Sequence, residues 1–284
     1  MLILPEHLIF SSFKEWFSHT LLDEGRAFFN VTSGTLYSGI DPKLNTPVFT
    51  APYHQWVYDS SVSGAIVPTT GAWGVQKIDF NYGRTIGSAP TGIINYSVKE
   101  FNIYTATSSD QALIFEQKYF DRPRPNTRTP TGATPYQIVA PCIFIVPAKV
   151  KADEFQLGGG KIMKRVFIEC LIVSDDDFKR FGVGNLFIDK KNDVFPILSN
   201  TPLNEIGGIK GGSYNYIDQQ LLNNTPSRLV HIEDVQYSPI DHDLITRNHP
   251  NLFFGKLYFN LLYYKDLTRE NSWLGDEDSP WLGS

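Results

Sequence analysis

The sequence predicts a β-rich α+β protein: a sheet with one packed helix in the C-terminal half, preceded by an N-terminal helix and an extended aromatic loop segment. Three observations carry this expectation. The chain of 284 residues holds 20 Phe, 14 Tyr and 5 Trp, and aromatic residues favour strands and interfaces. Residues 163–173 alternate Val166, Ile168, Cys170 and Ile172 with Phe167, Glu169, Leu171 and Val173, and 252–264 set Phe253, Leu257, Phe259, Leu261 and Tyr263 on one face of a second strand. Between them, Ser174-Asp-Asp-Asp177 offers an N-cap and an acidic first turn for a helix over about 175–190.

The first element is a helix over 5–25. Pro5 suits its first turn and Gly25 its stop. Phe10, Phe13, Phe17 and Leu21 recur at helical spacing with Trp16 beside them. Such a helix docks on its own domain or on a neighbouring subunit. Residues 26–74 carry few charges, many turn formers and the scattered aromatics Tyr37, Tyr53, Trp56, Tyr58 and Trp73. Long stretches of this kind often carry function. The segment reads as an arm, with Tyr53, Trp56 and Tyr58 as interface anchors.

Strands begin at Ile78-Asp-Phe-Asn-Tyr-Gly-Arg84, a strand running into a turn. They continue at 94–99, where Ile94, Tyr96 and Val98 face one way and Asn95, Ser97 and Lys99 the other. Residues 112–119 fit strand or helix equally. The clearest break is 121–135, in which four prolines disfavour sheet and helix. Arg122, Arg124 and Arg128 there make a basic strip, read either as a solvated linker or as a surface facing an acidic partner or passing DNA.

The second half reads as strands at 138–147 and 163–173, the capped helix, a flexible loop at 207–213, and strands at 229–237 and 252–264. Phe178, Phe181, Leu186 and Phe187 form a partial stripe on that helix, weakened by Gly182 and Gly184. The tail 265–284 sets two basic residues against five acidic ones and is punctuated by Trp273 and Trp281, two further interface candidates. The expected organisation is therefore an N-terminal portion 1–120 with helix, arm and β structure, a linker 121–135, an α+β domain 136–264 carrying the core fold, and an acidic tail. The arm 26–74 and the tail are expected to be buried only in an assembly, because neither shows a self-sufficient core pattern.

Composition narrows the function classes. A charged fraction of 19% and an apolar fraction of 42% describe a folded chain. A net charge of −5 argues against a protein that wraps nucleic acid. Cys142 and Cys170 both lie in apolar strands and read as buried thiols. The N-terminus lacks the basic region of a signal peptide, and no apolar run approaches the roughly 20 residues that cross a bilayer. Synthesis in a cytoplasm and no membrane partner are expected.

No motif carries chemistry. There is no nucleophile elbow. Gly158-Gly-Gly-Lys161 lacks the following Ser or Thr of a phosphate loop and reads as a hairpin turn. Among six histidines the best cluster is Asp241-His242-Asp243 with His249, on an extended loop whose adjacent side chains point apart. No catalytic residue, metal or cofactor is expected, and the chain reads as a structural subunit rather than an enzyme.

Several stretches resemble virion structural proteins of tailed bacteriophages: Tyr53-His-Gln-Trp-Val-Tyr-Asp-Ser-Ser-Val-Ser-Gly-Ala65, Lys77-Ile-Asp-Phe-Asn-Tyr-Gly-Arg84, Tyr96-Ser-Val-Lys-Glu-Phe-Asn-Ile-Tyr104, Pro141-Cys-Ile-Phe-Ile145, Phe155-Gln-Leu-Gly-Gly159, and His231-Ile-Glu-Asp-Val-Gln236 through the strand ending at Tyr264. The element order of the second half is similar to tail terminator or tail completion proteins, in which a helix packs on a sheet and copies form a ring. The resemblance implies a ring-forming neck or terminator subunit that joins head and tail in the virion. Its implied partners are copies of itself and other neck, tail tube or sheath proteins. A baseplate or fibre adaptor is the alternative within this class. A carbohydrate-binding β module, using the Trp and Tyr of the turn-rich segments as platforms, is the alternative outside it.

Overall fold

The computed structural model describes residues 5–41, 45–53, 55–106, 140–154, 161–199, 214–240 and 251–266. The fold is β-rich α+β. In chain order the elements are α1 (Pro5–Asp23), β1 (Phe28–Val31), β2 (Tyr37–Ile40), β3 (Pro47–Thr50), α2 (Thr70–Trp73), β4 (Lys77–Asp79), β5 (Arg84–Ile86), β6 (Tyr96–Lys99) and β7 (Asn102–Thr105). Then follow β8 (Cys142–Glu154), β9 (Lys161–Ser174), α3 (Asp177–Ile188), β10 (Val194–Pro196), α4 (Tyr216–Asn223), β11 (Leu229–Ile240) and β12 (Phe253–Asp266).

A six-stranded sheet of order β10-β11-β12-β9-β8-β7 organises the molecule. All its pairs are antiparallel except β7 with β8. Bulges interrupt the ladders between Pro147 and Lys149 and between Ile232 and Asp234. Strand alternation places Ile168, Cys170, Leu257, Phe259, Leu261 and Tyr263 on one face, where all are buried. Helix α1 lies on that face through its aromatic stripe. Phe13 meets Phe259 edge-on at 4.9 Å, Trp16 stacks on Phe195 at 5.4 Å, and Phe17 stacks on Phe187 of α3 at 4.0 Å. The helix therefore docks on its own chain. Its C-terminus closes as expected at Gly25, whose N–H donates to Thr20 O at 3.1 Å.

Helix α3 differs in detail from the sequence expectation. Its N-cap is Asp176, whose carboxylate accepts from Phe178 N at 2.8 Å, while Ser174 Oγ accepts from Asp176 N one step earlier. The buried face is Arg180, Val183, Gly184 and Phe187. Phe178 is 87% exposed, and Phe181 and Ile188 also face outward, so the expected stripe is split between core and surface. Gly184 is required by a close approach: a Cβ there would lie 2.8 Å from the Tyr237 ring. Phe253 keeps the same face of β12 as Leu257 and Phe259, under Arg180 of α3, but at the strand's start it is 39% exposed.

The largest correction concerns 26–74. The segment is not an arm without a core. It builds β1, paired with β6, and β2 and β3, which join β5 and β4 in a four-stranded sheet of order β2-β3-β5-β4. Trp56 (0% exposed), Tyr58 and Trp73 are buried in the chain's own interior. Trp56 packs at 4.6 Å from Tyr96 and 5.5 Å from Trp73. One hydrophobic cluster runs from Ile9 through Trp56 and Ile103 to Tyr263. The core therefore spans both of the expected domains, and 136–264 does not carry it alone. The physical reason is topological: β7 from the N-terminal portion completes the large sheet, and α1 covers that sheet's inner face. Strand β6 is buried on both faces, Ser97 and Lys99 included, rather than alternating between core and water.

Candidate assembly surface

Two polar clusters lie inside the protein. The first joins α1 to the segment 55–61, to β6 and to the entry of α4. His19 Nδ1 lies 2.7 Å from Asp59 Oδ2, and Asp59 Oδ1 accepts from Ser61 Oγ at 2.6 Å and from Tyr216 N at 3.0 Å. Burial alone would raise the Asp59 carboxyl. The hydrogen bonds from His19, Ser61 and Tyr216 hold it below the ordinary carboxylate range. Ser61 Oγ is 3.5 Å from His19 Nδ1, the same ring nitrogen that faces Asp59. A nucleophilic triad needs serine and carboxylate on opposite ring nitrogens, so this geometry supports a structural tie, not acyl transfer.

Deeper in the same cluster, Tyr58 Oη donates to Glu15 Oε2 at 2.6 Å. Lys99 Nζ donates to Ser18 Oγ at 3.1 Å and sits 4.6 Å above the Tyr58 ring. Burial raises the Glu15 carboxyl against the pull of Lys14, Tyr58 and Lys99, and it pushes Lys99 down to about 7. A lysine whose folded pKa lies below its unfolded value binds fewer protons in the native state. Between about pH 7 and 10.5 the unfolded chain holds the extra proton, so stability rises with pH in that window. Lys99→Met is expected to remove this slope, worth up to about 1.4 kcal/mol per pH unit. Urea unfolding of both proteins at pH 7, 8.5 and 9.5 checks it, and equal slopes would contradict the assignment.

The second cluster staples the four-stranded sheet. Arg84 on β5 donates through Nε to Asp79 Oδ2 on β4 at 3.0 Å, and through Nη1 to Asp41 at the end of β2. All three side chains are fully buried. Burial pushes Asp79 up to about 6 even with the Arg84 guanidinium beside it.

Of the residues in these two clusters, the sequence singles out Tyr58 alone, and as an interface anchor. Local signals were weak: Lys99 shares its strand face with the polar Asn95 and Ser97, and Asp79 and Arg84 flank the Asn81-Tyr-Gly83 turn. Of the proposed interface anchors, Trp56 and Tyr58 are core residues, which corrects their assignment. Tyr53 is half-buried, meeting the Phe29 ring edge-on at 5.1 Å. Arg122, Arg124, Arg128, Trp273 and Trp281 lie outside the described residues, as do the linker 121–135, the loop 207–213, Phe155–Gly160 and the Asp241-His242-Asp243 cluster with His249. The two thiols, Cys142 and Cys170, are free and buried. Among the described residues no group of three or more His, Cys, Asp or Glu could hold a metal, and no helix is long and apolar enough to cross a membrane.

Two surface features stand out. On β8, Cys142 to Val146 are buried, whereas Pro147 to Ala152 are all exposed. The strand thus runs past the part of the sheet that the chain's own layers cover, still paired to β9 as far as Glu154 and Ile162. The other feature is apolar: Phe178, Phe181 and Ile188 along the outer side of α3, and Leu221 and Leu222 on α4, are exposed. An overhanging hairpin and an apolar helix face are the parts of this molecule suited to a protein partner. No protein-family model matches the sequence, and no curated protein sequence matches it.

Proposed function

We propose that the chain is a structural subunit that assembles with copies of itself, in the ring-forming neck or tail-terminator role of a tailed-phage virion. The carrying observation is the overhang of β8, a strand segment exposed from Pro147 to Ala152 that the monomer extends but does not cover. The exposed Phe178, Phe181 and Ile188 on the outer side of α3 support the same reading. Order in a long strand costs backbone entropy, about 1–2 kcal/mol per residue, and a partner's surface offsets it. The virion role itself rests on the resemblance of the stretches from Tyr53 to Tyr264 and on the element order of 136–264. In this reading the other partners are neck, tail tube or sheath proteins, and Arg122, Arg124 and Arg128 face an acidic partner or passing DNA.

The carbohydrate-binding alternative draws less support. Its aromatic platforms were to be Trp and Tyr of the turn-rich segments. Among the described residues all three tryptophans, Trp16, Trp56 and Trp73, are buried. Native mass measurement with negative-stain imaging of the purified protein tests the proposal. One defined multimer with a central opening is expected at micromolar concentration. A monomer at every concentration examined would overturn it.

A further inference from the structure

We propose that Phe178 of one copy inserts into a groove on the outer face of the large sheet of the next copy, between Phe167 and Tyr258; this rests on the self-assembly reading above. The groove encloses about 360 Å³ and is lined wholly by described residues. That lies within the about 300–1,000 Å³ of small-ligand sites, enough for one benzyl group. Two cross-strand rows build it: Phe167, Asn260 and Asp234 in one, Glu169, Tyr258 and Gln236 in the next. Phe167 and Tyr258 are therefore diagonal neighbours on one face, within reach of a ring placed between them. Tyr258 is 38% exposed and Phe167 is half-buried. The carboxylates of the groove are already matched: Glu169 faces Lys256 at 3.5 Å and Asp234 faces Lys191 at 3.0 Å. A charged group entering there would compete with those pairs, whereas an aromatic ring packs against the two rings present.

Charge selects the knob. Among the described residues Phe178 is the most exposed large hydrophobic side chain, at 87%. Asp175, Asp176 and Asp177 directly precede it, and Asp175 is exposed. On the β8 side of the groove, Lys149 lies opposite Phe167 and Lys151 opposite Arg165, so both lysines project from the groove's own face of the sheet. Both are exposed. The acids beside the knob thus meet the cations beside the hole when Phe178 is seated. Leu221 and Leu222 of α4 are also exposed, but the first turn of that helix carries one acid, Asp218.

The sheet itself stands between Phe178 and the groove of the same chain. Helix α3 packs on the inner face, where Phe187 meets Phe17 at 4.0 Å and Phe259 at 5.8 Å. By strand alternation Phe167 and Tyr258 project from the opposite face. One chain therefore cannot fill its own groove with its own Phe178, and a second copy supplies it. Knob and hole are different surfaces, so the contact is head-to-tail, and its repetition closes a ring or extends a filament.

The test uses full-length protein. Phe178→Ala removes the knob and Gln236→Trp fills the groove; both positions are exposed. Each change is expected to raise the midpoint concentration of self-association about tenfold or more. Lys149→Glu and Asp175→Lys are each expected to raise it about threefold, and the two together to bring it back. Chains carrying only Phe178→Cys, mixed with chains carrying only Gln236→Cys, are expected to yield a disulfide-linked pair under mild oxidation. Association that ignores both Phe178→Ala and Gln236→Trp would overturn this contact while leaving the assembly reading intact. Sensitivity to Phe178→Ala without sensitivity to Gln236→Trp would seat Phe178 elsewhere and likewise overturn it. A Phe178→Cys chain that links only to a second Phe178→Cys chain would make the contact two-fold and overturn the head-to-tail seat. A wild-type protein that is monomeric throughout would remove the assembly reading and this contact with it.

Discussion

Replacing Arg84 with Met is expected to cost about 3–5 kcal/mol at pH 7, because it strips the Arg84 guanidinium from two fully buried carboxylates. Methionine fills much of the volume, so the loss is mainly electrostatic. Asp79 is already raised to about 6 beside Arg84. Without it, Asp79 rises further, and the native state binds a proton that the unfolded chain releases. Stability of the variant therefore falls as pH rises through the folded Asp79 pKa and recovers toward acid. The deficit against wild type should be largest at neutral pH and smaller near pH 5. Urea unfolding at both values measures it. A deficit under about 1 kcal/mol at pH 7, or one that grows toward acid, would show that the buried triad does not hold β2, β4 and β5 together.

Trp56→Ala is expected to destabilise the isolated protein by about 3–5 kcal/mol. The side chain is fully buried, touches Trp73 and Tyr96, and its backbone N donates to Phe80 O at 2.8 Å. Removing the indole opens a cavity at the contact between the 55–61 segment, β6 and α2. Trp56→Phe keeps the ring packing and should cost less, since the indole Nε1 has no hydrogen-bond partner among the described residues. Dilute samples make the measurement decisive, because an arm ordered only by a partner would show almost no change there. A loss below about 1 kcal/mol in dilute protein would restore the arm reading.

The two variants probe the region where sequence and structure part company. Segments with period-2 or period-3.6 patterns over ten or more residues were legible: α1, β9, β12 and the start of β8 all fall close to where their apolar spacing places them. Of the strands of three or four residues, β4 and β6 were legible beside the turn at Gly83 and in the alternation of 94–99, and the others were not. β2, β3 and β5 are too short for alternation to rise above chance, and the partners that bury them come from elsewhere in the chain. Asp41 and Arg84 are 43 positions apart, and nothing local marks them as a pair.

By itself the sequence determined the β-rich α+β class, the aromatic face of α1, and the alternating strands that form the centre of the large sheet. These follow from side-chain periodicity, which acts within one element. Tertiary structure alone decided that Trp56 and Tyr58 belong to the core, that Phe178 faces water on a helix whose Phe187 does not, and that Glu15, Lys99, Asp59 and Arg84 are interior. Burial is a property of what covers a residue. For this chain the cover comes from distant segments: β7 closing the sheet beside β8, and α1 lying between that sheet and the turns that follow it.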